Sequence, residues 1–241
     1  MSYLDERLVQ VYDVDNPDGP DHDFYRGLAA RVDARRVVDL GCGTGILTVT
    51  LVGAQRTVLG VDPSPAMLRY AAARPGGEAV EWVLGDSRAV APARADLALM
   101  TGNVAMHVLG EDWPRTLRDL HDCLLPGGTV AFESRNPATR PWEDWVGPPS
   151  TRDTPVGRLT EWMEVSAPGP DGVLTYRAHN VFEQTGEHVV ETQGLAFRAL
   201  DDLCGDLGQA GLVVDDVYGG WDGRAATDLE PLFVVVARRP A

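Results

Sequence analysis

The run Arg36-Val37-Val38-Asp39-Leu40-Gly41-Cys42-Gly43-Thr44-Gly45-Ile46-Leu47 constrains this chain more than any other stretch. Val37, Val38 and Leu40 form a short apolar run, three glycines follow at alternate positions, and residues 46–52 are compatible with a helix. The spacing predicts strand, tight turn, helix. Glycines in such a turn accept positive φ and let a ligand approach the backbone where a Cβ would collide, while a helix start presents free N–H groups. The stretch therefore reads as a nucleotide-binding βα corner.

Two details select the nucleotide. In the dinucleotide pattern G-x-G-x-x-G the third glycine would fall at Ile46, whereas the third glycine here is Gly45. Asp39 stands two residues before Gly41, where its charge would repel a pyrophosphate and attract an ammonium group. S-adenosylmethionine carries an α-ammonium, a sulfonium and no phosphate, and fits where NAD fits poorly. About 20 residues on, the run Thr57-Val58-Leu59-Gly60-Val61-Asp62 ends in the carboxylate that a free ribose requires. A third acidic strand end, Asp86 in Val80-Glu81-Trp82-Val83-Leu84-Gly85-Asp86-Ser87, is placed to accept from an adenine amino group. Between them, Asp62-Pro63-Ser64-Pro65 starts a helix with Ser64 as N-cap and Pro65 in its first position. Met67 then serves either the adenine face or the plain core.

Together these motifs resemble the class I S-adenosylmethionine-dependent methyltransferases. Residues 39–45 look like their first motif, Val61-Asp62-Pro63-Ser64 their second and Gly85-Asp86-Ser87 their third. The likeness runs through Met100-Thr101-Gly102-Asn103 to Leu125-Pro126-Gly127-Gly128. The opening Asn16-Pro17-Asp18-Gly19-Pro20-Asp21 and the ending Val217-Tyr218-Gly219-Gly220-Trp221-Asp222-Gly223 are similar to a bacterial small-molecule subgroup. The resemblance implies an α/β fold with a Rossmann-like seven-stranded sheet, mostly parallel with an antiparallel last strand. It also implies S-adenosyl-L-methionine as cofactor, contacted by Asp39, Gly41, Cys42, Gly43, Gly45, Asp62, Pro63, Met67, Asp86, Ser87, Thr101 and Gly102.

Composition excludes several alternatives. The formal net charge of −15 opposes sequence-independent binding to nucleic acid or to an anionic membrane, so neither is expected as a partner. All 21 basic residues are arginine, which removes a Schiff-base lysine, a P-loop lysine and a lysine general base. Cys42, Cys123 and Cys204 are widely spaced and read as reduced thiols, the latter two on buried helix faces. The first residues show neither a basic n-region nor an apolar h-region, and no run approaches membrane-spanning length, so a cytoplasmic protein is expected.

Three segments are expected. Residues 1–136 hold an N-terminal segment and the cofactor-binding core, residues 137–198 a β-rich substrate cover inserted after the fifth strand, and residues 199–241 a helix and strand pair that complete the core. In the first, an acidic turn-rich segment precedes a helix capped by Asp21 or His22, and Tyr12, Tyr25 and Arg26 are candidates to face cofactor or substrate. Trp113, Leu117, Leu120 and Leu124 repeat at the helical period and should bury against the sheet. The cover contains three strand-like runs. In one of them Tyr176, Ala178 and Asn180 alternate with Arg177 and His179, a small antiparallel sheet. Trp142, Trp145, Trp162 and Tyr176 either line an aromatic pocket or form the cover's own small core.

The reaction expected is transfer of the methyl group to an O, N or C nucleophile of a small-molecule acceptor. The Asp/Asn-Pro-Pro-aromatic signature of adenine-amine methylation is missing after the fourth strand, and no acidic ligands for a divalent metal stand there. His107 and His179 are the candidates for a general base, each set against a structural role. The rival readings are a non-catalytic cofactor-binding regulatory module, an NAD-dependent reductase, and methylation of tRNA or protein.

Overall fold

The computed structural model describes residues 5–227 and 229–241. Five strands come first: β1 (Arg36–Leu40), β2 (Thr57–Asp62), β3 (Glu81–Leu84), β4 (Ala95–Met100) and β5 (Leu124–Arg135). Four more, β6 (Ser150–Thr154), β7 (Gly157–Val165), β8 (Val173–Phe182) and β9 (Glu187–Ala196), form a separate antiparallel sheet. The last two, β10 (Val213–Tyr218) and β11 (Leu232–Arg238), rejoin the first sheet, whose order is β10-β11-β5-β4-β1-β2-β3. β11 runs antiparallel to both β5 and β10, and the remaining pairings are parallel. The order reverses between β1 and β4, and the crevice at their carboxyl ends is where such sheets bind ligands.

The helices are α1 (Glu6–Asp15), α2 (Pro20–Arg31), α3 (Pro65–Ala73), α4 (Val104–His107), α5 (Asp112–Cys123) and α6 (Leu200–Gln209). Alternate residues of the central strands feed two cores. Val38, Leu40, Ala98, Met100 and Phe132 pack with Trp113, Leu117 and Leu120 of α5 and with Leu203 and Leu207 of α6. Val37, Leu97, Leu99 and Ala131 pack with Tyr25 and Leu28 of α2. The expected stripe of α5 is thus buried, and α3 begins as its sequence requires, with Ser64 Oγ accepting from Met67 N at 3.3 Å.

Four expectations need correction. No α-helix follows the glycine loop: only a 3-10 turn, Thr48–Leu51, forms there. Ile46, Thr48, Val49, Thr50 and Val52 are β-branched, and the Thr50 hydroxyl donates to Leu47 O at 2.6 Å, competing with helical pairing. The cap of α2 is Gly19, with Pro20 in the first turn, so Asp21 and His22 lie inside the helix. Part of the acidic turn-rich segment is itself helical, because α1 runs to Asp15. The cover has four strands rather than three; β6 is a short polar edge strand paired on one side only, which leaves no apolar alternation to read.

Ionic and hydrogen-bond ties join α1 to the cover sheet, the end of α3 and the glycine loop. Arg7 pairs with Glu187 at 2.7 Å and lies 3.8 Å from the Phe182 ring centroid, Arg152 Nη1 reaches Asp15 at 2.7 Å, and Asp13 meets Arg74 and accepts from Thr44 Oγ1. Arg198 clamps α4 by donating to Ala105 O at 2.9 Å and Val108 O at 2.6 Å. Gly45, at φ +72°, is packed from below: a Cβ there would stand 2.6 Å from the Trp82 ring. Gly45→Ala is therefore expected to lower stability by about 1–3 kcal/mol. Chemical denaturation should show part of that loss recovered when Trp82→Leu is added, since the second change opens the space.

Candidate functional site

Three adjoining cavities of about 350, 390 and 320 Å³ occupy the crevice. The first, at the ends of β2 and β3, gathers Asp62, Pro63, Met67, Asp86 and Ser87. Another, around the glycine loop, gathers Asp39, Gly41, Cys42, Gly43, Thr101 and Gly102 with Glu133 and Asp21. A further one lies beneath the cover sheet and holds Gly102, Asn103, His107, Arg135, Trp145, Tyr176 and Asn180. Gly41, Gly43 and Thr101 belong to the first two, His107 joins the first to the cover cavity, and Tyr12 belongs to all three.

The loop's conformation follows from its residues. Gly41 has φ +76°, and a Cβ there would overlap Val104, whereas Gly43, at φ +54°, faces open space. Asp62 anchors the turn by accepting from Gly43 N at 2.9 Å and Ser64 N at 2.8 Å, one bond per oxygen, which leaves lone pairs on both. Burial raises its pKa. Asp39 is 1% exposed; Oδ2 accepts from Thr48 Oγ1 at 2.6 Å, and Oδ1 has no hydrogen-bond partner among the described residues. Burial pushes its pKa up to about 6. A buried carboxylate oxygen without a donor, beside a loop open at Gly43, fits a cofactor that brings its own ammonium group.

The other candidates divide. Ser87 donates to Asp119 at 2.6 Å, and Asp86 is engaged by Arg88 at 2.5 Å, which holds its carboxyl below the usual range. Met67 is both cavity wall and core, packed with Val9 and Ala66. Cys42 presents backbone to the loop while its sulfur packs toward Gly60, and burial pushes its thiol up. Gly45 lines none of the three cavities. His107 sits where the first and cover cavities join, and burial pushes its pKa down to about 3. His179 is elsewhere: it stacks on Trp162 at 4.5 Å and shares a 3.0 Å hydrogen bond with His188, outside the three cavities. Strand alternation turns it away from the face that carries Tyr176 and Asn180. Trp145 and Tyr176 line the cover cavity, Trp142 packs on Phe197, and Trp162 belongs with His179. Of the three N-terminal candidates only Tyr12 reaches the cavities. Arg26 pairs with Asp18 and Asp23, and Tyr25 is fully buried.

Tyr25 leads to a residue that the motifs did not single out. Glu133, in β5, accepts from the Tyr25 hydroxyl through one oxygen and from Asn103 N through the other. It is 3% exposed, burial raises its pKa, and it lines the cavity around the glycine loop. The available signal was a lone carboxylate inside the apolar run Val130-Ala131-Phe132-Glu133. Arg135, two residues on, was also passed over. Among the described residues no group of three His, Cys, Asp or Glu is placed to hold a metal ion, and no helix is long and apolar enough to cross a membrane.

Comparison with known proteins agrees with this geometry. Residues 37–128 match the family described as a methyltransferase domain. The chain is 43% identical over 237 residues to the trans-aconitate 2-methyltransferase of Azoarcus sp. (strain BH72), covering 88% of this chain and 92% of that protein. It belongs to the class I S-adenosylmethionine-dependent methyltransferases and moves the methyl group of that cofactor to a nucleophile of a small molecule. The trans-aconitate 2-methyltransferase of Paracidovorax citrulli is 31% identical over 89% of this chain and 92% of its own. In fold, the CcbJ methyltransferase of Streptomyces caelestis matches with a TM-score of 0.78 at 22% identity, over 99% of this chain and all of its own.

Removing the Tyr25 hydroxyl leaves a buried carboxylate short of one donor. Tyr25→Phe is expected to lower stability by about 1.5–3 kcal/mol in urea or thermal denaturation, while Phe24→Leu beside it, a half-buried ring, is expected to lose less.

Proposed function

We propose that the acceptor is a small carboxylic acid, methylated on oxygen in the cavity beneath the cover sheet. The observation that carries this reading is the character of His107. It is the imidazole at the junction of the first and cover cavities, and burial pushes its pKa down to about 3, which makes it a poor general base. Tyr12, pushed up to about 12 by burial, stays protonated. An ammonium or hydroxyl acceptor must lose a proton to react, whereas a carboxylate has none to lose. The names of the two long relatives, both trans-aconitate 2-methyltransferases, support the same class of acceptor.

When bound, S-adenosylmethionine supplies an electrophilic methyl group on a sulfonium whose departure as a thioether requires no acid. The protein's part is alignment at near-attack distance. Asp39 would take the α-ammonium, Asp62 the ribose hydroxyls, and Met67 with Pro63 the adenine, with Asp86 and Ser87 near its amino group. Thr101, Gly102 and Tyr12, which line the adjoining cavities, would border the methyl group, and His107 would orient the acceptor. The acceptor is a metabolite rather than nucleic acid or membrane, and the enzyme works in the cytoplasm.

Incubation with labelled cofactor and a panel of di- and tricarboxylates, phenols and primary amines should yield label released as methanol by mild alkali, the mark of a methyl ester. Turnover confined to amines, with alkali-stable label, would overturn the reading. The ammonium subsite has its own signature. Only ionised Asp39 attracts the cofactor's ammonium, so calorimetric affinity for S-adenosylhomocysteine should be full above about pH 7 and decline below about pH 6 as the carboxyl takes up its proton. Asp39→Asn should weaken binding by about 1–3 kcal/mol and flatten that decline.

A further inference from the structure

Among the described residues lining the cover cavity, Arg135 is the only arginine. Most arginines of this chain are tied to carboxylates, and Arg56, Arg198 and Arg239 donate to backbone carbonyls. The Arg135 guanidinium makes neither an ion pair nor a hydrogen bond among the described residues. Its one ring contact is Trp145, whose centroid lies 5.6 Å from Cζ. The backbone beneath it is fixed: Arg135 N donates to Met106 Sδ at 3.4 Å, and the residue pairs with Leu232 at the end of β5.

The guanidinium faces the acceptor side. Arg135 lines both the glycine-loop cavity and the cover cavity, but Trp145, against which its head rests, lines only the latter of the two. Two of the carboxylates on that wall are already answered, since Arg152 holds Glu161 at 2.5 Å and Asp15 at 2.7 Å. Glu191, on β9, lines the same cavity and, after burial, is the next cause that pushes the Tyr176 hydroxyl up, so an anionic group in the cavity is favoured at the Arg135 end. A planar fork steadied on an indole and lacking an anion is built for bidentate carboxylate recognition.

We propose that Arg135 determines acceptor specificity by holding a second carboxylate of the substrate, so that the enzyme takes di- and tricarboxylic acids in preference to monoacids. The inference rests on the reading of the acceptor as a carboxylic acid and names which acids qualify. One carboxylate, anchored at Arg135, leaves another free to attack the methyl carbon at the junction lined by Gly102 and His107. That attack forms the ester C–O bond as the C–S bond breaks, with the electron pair leaving on sulfur.

The test uses wild type, Arg135→Gln and Arg135→Lys, with trans-aconitate and the monocarboxylate crotonate as probes, in turnover and in calorimetric titration of the protein saturated with S-adenosylhomocysteine. Wild type should prefer trans-aconitate. Arg135→Gln should raise its KM and Kd by about tenfold or more, with a smaller change in kcat, and should narrow the preference over crotonate. Arg135→Lys should restore part of the affinity. The Kd of S-adenosylhomocysteine should stay unchanged. Wild-type turnover of trans-aconitate with an unaffected Arg135→Gln variant would overturn this inference and leave the carboxylic-acid reading standing. Loss of S-adenosylhomocysteine binding in that variant would reassign the guanidinium to the cofactor's own carboxylate and overturn it equally. A wild type that neither binds nor methylates either acid, while methylating amines, would overturn both.

Discussion

The crevice is held in shape by one buried carboxylate. Glu133 belongs to the central strand β5, yet its two oxygens reach a helix before the sheet, through Tyr25, and the turn after β4, through Asn103 N. A carboxyl group so deep is tolerable when its oxygens are answered by donors, and here each is. The Asn103 contact holds a left-handed residue, φ 63°, which sets the path of Thr101 and Gly102 and the start of α4. Arg198 fixes the other end of α4 through two carbonyls, so His107 is positioned from both sides. Removing Glu133 would leave the tyrosine, the amide and the turn to find other partners.

Charge is distributed along the crevice in a way that suits the transfer. Around the glycine loop stand Asp39, Asp62 and Glu133, all buried, each with its pKa raised by burial. Three buried carboxyl groups so close together favour a positively charged ligand, and the cofactor's ammonium and sulfonium groups answer to that. Beneath the cover stands the guanidinium of Arg135, which makes no ion pair among the described residues. In the proposed transfer, donor and acceptor meet with a positive leaving group on one side and an anion held by a positive anchor on the other, and the displacement discharges both. The strongly acidic surface outside, with a formal net charge of −15, plays no part in this arrangement, which is set by a few desolvated groups.

Features carried by short-range pattern were legible in the sequence. The glycine corner, the aspartate at the end of β2, the cap of α3, the stripe of α5 and the antiparallel last strand all depend on residues a few positions apart. The helix expected after the glycines was not legible, because a run of β-branched residues and threonine hydroxyls favoured a 3-10 turn over the propensity of isolated leucines. Glu133 and Arg135 were harder still. Each lies in a strand whose apolar neighbours announced only burial, and their partners are Tyr25, 108 positions away, and Trp145, across a connection of no fixed period. His179 shows the opposite error: alternation placed it on the strand face away from Tyr176, and only the stacked Trp162 shows that this face has its own core.

The two sheets share no strand, so the aromatic and polar residues of β7, β8 and β9 can be altered without disturbing the hydrogen-bond ladder that carries the glycine corner. Tyr12 is the exception, since it walls every chamber and rides on a helix tied to the cover sheet and to the end of α3. A redesign of the cover for another acceptor would keep that phenol as a shared boundary, and any replacement there would be felt on the donor and the recipient side at once.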